Sequence, residues 1–161
     1  MNSLAAVVAD RVASDDEFAA AEALIDAWLE RQLADNPTVA ALDRGEPGEF
    51  RWYLRLRGEE KEVFTIWWTL GQRTLHYETY MMPAPEENQA EVYELLLRRN
   101  AKVFGAAFNI GDEDAVYLAG QLALGQLDEG ELDRILGTLW EWVERTFRPA
   151  MRLGYASRFV G

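Results

Sequence analysis

Residues 51–82 read RWYLRLRGEEKEVFTIWWTLGQRTLHYETYMM, and this stretch decides the fold. It breaks into three short runs. Trp52, Leu54 and Leu56 alternate with Tyr53, Arg55 and Arg57. Phe64, Ile66, Trp68 and Leu70 alternate with Val63, Thr65, Trp67 and Thr69, and Leu75, Tyr77, Thr79 and Met81 alternate with Thr74, His76, Glu78 and Tyr80. A period of two carried by aromatic and β-branched side chains marks a strand with one buried face. Gly58-Glu59-Glu60-Lys61 and Gly71-Gln72-Arg73 supply the turns, where glycine accepts the backbone conformations of tight hairpins. The pattern predicts a three-stranded β-meander.

The same alternation sorts side chains by face. If Phe64, Ile66 and Trp68 face the helices, Trp67 must point away, and Tyr53, Arg55, Arg57, Thr65, His76, Glu78 and Tyr80 share its side. Trp, Tyr and Arg dominate binding hot spots, so these eight residues form the candidate partner-binding set. Arg55 and Arg57 give that face a local positive patch suited to a carboxylate-bearing partner. Read without a partner, the same residues brace a two-sided sheet or cover a dimer interface.

Upstream, residues 1–13 are small and weakly apolar, and read either as a short helical turn or as a flexible tail. Ser14-Asp15-Asp16-Glu17 has capping-box spacing. After it Phe18, Ala21, Leu24, Ile25, Trp28, Leu29 and Leu33 recur at helical spacing, predicting a first helix that ends near Ala34. Residues 36–49, with two prolines and several charges, read as a loop into the meander. Downstream, Met82-Pro83-Ala84-Pro85 stops the sheet. Val92, Tyr93, Leu96 and Leu97 mark a second helix, with Gly105 as its stop. Residues 106–110 and 115–122 read as a second hairpin around Gly111-Asp112-Glu113-Asp114. Asp128 caps a third helix whose stripe is Leu132, Ile135, Leu136, Leu139, Trp140, Val143 and Phe147, with Pro149 bending or ending it. Trp142 falls off that stripe and packs on another element, the tail or another subunit. The order helix, three strands, helix, two strands, helix predicts an α+β fold, a twisted antiparallel sheet with helices on one face.

A chain of 161 residues is expected to form one domain with a core large enough to fold without metal or disulfide. It has no cysteine, which removes thiolate nucleophiles and cysteine-ligated metals. The net charge of −12 argues against nucleic acid and anionic membrane surfaces, which call for a basic patch. It is read either as a source of solubility or as a surface for a basic partner segment. Met1-Asn2-Ser3-Leu4 lacks the positive region of a signal peptide and no run approaches a membrane span, so the expected location is cytoplasmic.

Catalytic signatures fail on inspection. His76 is the only histidine and lies two residues from Glu78, a spacing open to a base with its orienting carboxylate or to two metal ligands. His-x-Glu also opens the zinc-deaminase signature, which needs a downstream Cys pair that this chain lacks. The acids at 112–114 are consecutive, unlike the alternating ligands of a calcium loop. There is no Gly-rich phosphate loop, and Ser3, Ser14 and Ser157 are not in nucleophile-elbow contexts. The expectation is a non-enzymatic protein with no cofactor and no metal. The alternative is a small-molecule sensor or a cryptic enzyme using the His76/Glu78 region.

Four stretches carry a resemblance to a known family: Trp52-Tyr53-Leu54-Arg55-Leu56-Arg57, the run from Thr74 to Pro83, Leu97-Arg98-Arg99-Asn100, and Leu132-Asp133-Arg134-Ile135-Leu136-Gly137. With them the chain resembles the actinobacterial branch of the YbjN-domain family, over about residue 50 to the C-terminus. The resemblance implies a type III secretion chaperone-like fold, a homodimer, and no catalytic residues to carry over. Members of the family are described as regulators of sensory transduction, and secretion chaperones of that fold hold an unfolded stretch of a client. On that basis the chain is expected to be a chaperone-like or adaptor protein that binds a partner polypeptide as a homodimer.

Overall fold

The structure, a computed structural model, describes residues 11–159. Expectations for residues 1–10 lie outside the described residues. The first helix, α1 (Asp15–Asp35), starts at the expected capping box, in which the Glu17 amide donates to Ser14 Oγ at 3.2 Å and the Ser14 amide to Glu17 Oε1 at 3.3 Å. Its buried stripe is Ala21, Ile25, Trp28 and Leu29. Four strands follow: β1 (Val39–Arg44), β2 (Arg51–Arg57), β3 (Val63–Leu70) and β4 (Thr74–Met82). Then come α2 (Gln89–Asn100), β5 (Ala107–Ile110), β6 (Val116–Ala123) and α3 (Glu129–Gly154). The strands make one antiparallel sheet in the order β1-β2-β3-β4-β6-β5.

The fold class is the expected α+β architecture, with one more strand than the sequence suggested. Residues 36–49 are not only a loop: they contain β1, paired with β2 from Val39 opposite Leu56 to Arg44 opposite Trp52. This edge strand is built on Val39-Ala40-Ala41-Leu42, where small side chains blur the alternation, and a bulge between Val39 and Ala41 breaks the period further.

Inner and outer residues of the meander separate as the alternation requires. Trp52, Leu54, Leu56, Ile66, Trp68, Leu75, Tyr77 and Met81 are buried in one cluster with the stripes of α1 and α3. Trp28 meets Trp68 edge-on at 5.5 Å. Two indoles of this layer reach carboxylates on the helices. Trp28 Nε1 donates to Asp133 at 2.8 Å and Trp52 Nε1 to Asp26 at 2.6 Å. These bonds satisfy polar atoms that burial would otherwise strand.

α2 ends at Asn100 rather than at Gly105, which takes a φ of +77° in the loop beyond. Asn100 then docks β5, donating to the Phe108 carbonyl at 3.1 Å and accepting from its amide at 2.7 Å. α3 begins at the Asp128 cap, whose side chain accepts from the Glu131 amide at 2.8 Å, and runs through Pro149 to Gly154. Proline cannot donate to the carbonyl four residues back, that of Arg145. Arg99 of α2 takes that carbonyl instead, at 2.7 Å, and donates to Thr146 Oγ1 at 3.1 Å. Trp142 is half-buried against the core of this same chain, with the Arg145 guanidinium 5.5 Å above its ring.

Candidate outer-face site

Strand register assembles the candidate residues into rows. Tyr53, Trp67, Glu78 and Ala119 lie opposite one another across β2, β3, β4 and β6. One row away Arg51 faces Thr69, which faces His76, which faces Gln121. On the other side Arg55 faces Thr65, and Tyr80 faces Tyr117. The structure therefore places all eight candidates on one face, with Arg55 and Arg57 exposed and the rest half-buried.

The middle of that face is aromatic. Tyr117 touches Tyr80 edge-on at 5.6 Å and Trp67 at 6.4 Å. The charges divide to either side. β2 carries Arg51, Arg55 and Arg57, whereas β4 carries Glu78 and the turn after β5 carries Asp112, Glu113 and Asp114. The face is bipolar, so the positive patch read from Arg55 and Arg57 is only half of it. A depression of about 420 Å³ runs between the two halves, lined by Arg51, Trp67, Glu78, Asp112 and Tyr117 among others.

Arg51, Asp112 and Tyr117 were not among the sequence-derived candidates. Tyr117 was within reach of the same parity argument, since Val116 and Leu118 point inward on either side of it. Asp112 arrives only through the order β4-β6-β5, which local patterning does not reveal.

Arg57 has work within the chain. Its guanidinium donates to the carbonyls of Pro37 and Val39 at 3.2 and 3.1 Å, tying β2 to the start of β1. Lys61, from the turn between β2 and β3, reaches under the sheet end, donating to the Tyr80 and Met81 carbonyls at 2.9 and 2.7 Å. Its Nζ lies 4.9 Å from the Tyr80 ring and 5.3 Å from that of Phe147. Burial lowers its pKa to about 8, because an ammonium loses hydration there. Burial also raises Tyr80 above the ordinary phenol value. The turn that carries Lys61 is pinned by Glu144 of α3, whose carboxylate accepts from the Glu59 and Glu60 amides at 2.8 and 2.7 Å and the Lys61 amide at 3.3 Å. A side chain at Gly58 would collide with that carboxylate, so the close approach needs glycine.

His76 and Glu78 share the outer face of β4. Among the described residues no group of three or more His, Cys, Asp or Glu is placed to hold a metal ion, and no helix is long and apolar enough to cross a membrane.

An antiparallel sheet with one inner face under three helices is the type III secretion chaperone-like fold. One chain of the HopA1–SchA chaperone–effector complex superposes with a TM-score of 0.58 over 84% of this chain and 98% of its own, at 16% identity. Within that fold the chain belongs to the YbjN family, described as "Putative bacterial sensory transduction regulator", whose model matches residues 23–150. An uncharacterized protein of Mycobacterium tuberculosis (strain ATCC 25618 / H37Rv) is 35% identical over 104 residues, 65% of this chain and 57% of the relative. One from Mycobacterium leprae (strain TN) is 32% identical over 110 residues, 68% of this chain and 60% of the relative. The matched region thus spans less than two thirds of either relative's length.

Proposed function

We propose that this protein is a non-enzymatic adaptor or chaperone-like module that holds a segment of another polypeptide on the outer face of its sheet. One observation carries the reading: Trp67, Tyr80 and Tyr117 form a half-buried aromatic group at the centre of a six-stranded sheet, flanked by opposite charges. Amphipathic aromatics at the middle of a surface, with a charged rim, are the composition of binding hot spots. The test is a pull-down of the tagged protein at native abundance beside Trp67→Ser, followed by reconstitution from purified components. One stoichiometric partner that binds the purified protein and not the variant supports the reading; an identical partner set in both samples sinks it.

The second part of the proposal is a homodimer through the β5 edge. Leu97 and Ile110 are 69% and 51% exposed there and line an apolar groove of about 220 Å³ between α2 and β5. Asn100 already occupies the amide and carbonyl of Phe108 on the open side of β5, so the two copies would meet through side chains, the apolar patch of one against that of the other, and not by strand pairing. A two-fold interface is self-complementary in just this sense. Light scattering should report a dimer for the wild type and a monomer for Ile110→Glu; a monomeric wild type at all concentrations ends this part of the proposal.

A further inference from the structure

Resting on the outer-face reading, we propose that the depression between Trp67, Tyr117, Glu78 and Asp112 is a subsite for a cationic side chain of the bound segment, arginine by preference. Trp67 and Tyr117 approach to 6.4 Å with their planes inclined at 42°, and both rings line the depression together with Glu78. Asp112 lines the same depression. Among the described residues neither Glu78 nor Asp112 takes part in an ion pair, although carboxylates elsewhere on the surface do. Two unpaired acids and two aromatic rings lining one depression attract a cation by charge and by ring quadrupole at once. A planar guanidinium fits both, stacking on a ring while its fork reaches a carboxylate, which an ammonium cannot do.

Two further features point the same way. Gly111 lets the Tyr117 ring lie close over the turn: a Cβ there would sit 2.6 Å from two ring carbons and push the ring aside. The third charged group of the depression, Arg51, comes from β2, on the opposite side of β3 from Glu78. It therefore fits a carboxylate elsewhere on the same segment and leaves the acidic end to the cation. The net charge of −12 adds a long-range field that favours the same sign of ligand.

The test is selection of phage-displayed random 12-residue peptides against the folded wild-type protein, counter-screened on Trp67→Ser and on the double variant Glu78→Gln/Asp112→Asn. The double variant keeps the shape of the depression and removes its charge. A cooperative thermal transition well above the binding temperature in each protein shows that the variants are folded. Arginine-containing, Trp67-dependent peptides are expected, and replacing that arginine by neutral citrulline in the best one should weaken binding about tenfold. The double variant should weaken the arginine peptide by a similar factor and leave the citrulline peptide unchanged. Trp67-dependent peptides without a cation, or arginine peptides that bind the double variant undiminished, overturn the subsite while leaving the outer-face reading intact. Peptides indifferent to Trp67→Ser, or no enrichment at all, overturn both.

Discussion

Trp67 and Trp68 are neighbours in sequence and opposites in the fold. Trp68 is fully buried between Trp28 and Tyr77, at ring distances of 5.5 and 6.0 Å, and its indole N–H has no hydrogen-bond partner among the described residues. Trp67, one residue back, is half-buried and touches the ring of Tyr117. The two faces of one strand thus spend the same residue type differently. On the inner face an indole is volume, packed against two further rings. On the outer face an indole is a surface for contact, placed among charges that contribute little to folding.

If that contrast holds, truncations on the two faces must separate widely in stability. Trp68→Ala should have the largest effect, about 3–5 kcal/mol, because a buried aromatic leaves a cavity that its neighbours cannot fill. Urea unfolding followed by far-UV circular dichroism would measure it. A loss below 1 kcal/mol would mean that the inner face is not a packed core. Glu144→Ala comes next, at about 2–3 kcal/mol, since it strands the three amides of the turn at Glu59, Glu60 and Lys61. Hydrogen exchange at those amides should accelerate in the variant before the rest of the sheet is affected. Unchanged exchange would show that water replaces the carboxylate at no cost.

Arg57→Ala sharpens the comparison from the outer side. Its guanidinium serves the carbonyls of Pro37 and Val39, so its removal should cost about 1 kcal/mol and loosen β1, whereas Arg55→Ala should be near neutral. Equal effects of the two would remove the distinction drawn between a brace and a free side chain. Trp67→Ser should cost less than Trp68→Ala, about 1–2 kcal/mol, because its ring is only partly buried and the site can rehydrate. If it unfolds the protein instead, the outer-face assignment is wrong and the pull-down comparison loses its meaning.

The sequence carried the faces of the meander because alternation with large side chains is unambiguous: Trp52, Ile66 and Trp68 could be placed inward without any tertiary knowledge. It carried the caps at Ser14 and Asp128 because their spacing is local. β1 was hidden by its alanines and its bulge. What was least legible lies between elements. Asp26 and Asp133 look like surface acids on helices, yet each receives a tryptophan N–H. Arg99 looks like a charge at a helix end, yet it repairs the gap that Pro149 opens in α3. In the candidate site the same limit applies: Trp67 and Glu78 were visible by parity, whereas Asp112 joins them only through the crossover that sets β6 between β4 and β5. Long-range neighbours of this kind have no period in the sequence to announce them.

The remaining prediction is a pH dependence, and it sits where the two faces meet. Lys61 bonds two carbonyls at the end of β4 beneath the Tyr80 ring, and burial holds its pKa near 8. In the unfolded chain the amine returns to its ordinary value of 10.5. Between these two values the unfolded state binds more protons than the folded one, so stability attributable to Lys61 rises with pH across that window. Tyr77, Tyr80 and Tyr155 act oppositely at higher pH: burial raises them, and the folded state then holds protons that the unfolded state releases. They are present equally in Lys61→Met, whose side chain has similar length and no charge. The stability of the wild type relative to Lys61→Met should therefore climb from pH 7 to pH 10, by of order 1 kcal/mol once solvent screening is allowed for. Urea titrations of both proteins at unit pH intervals would trace it. A flat difference would place Lys61 among ordinary surface amines, and would move the boundary between packed interior and binding face back to the Tyr80 ring itself.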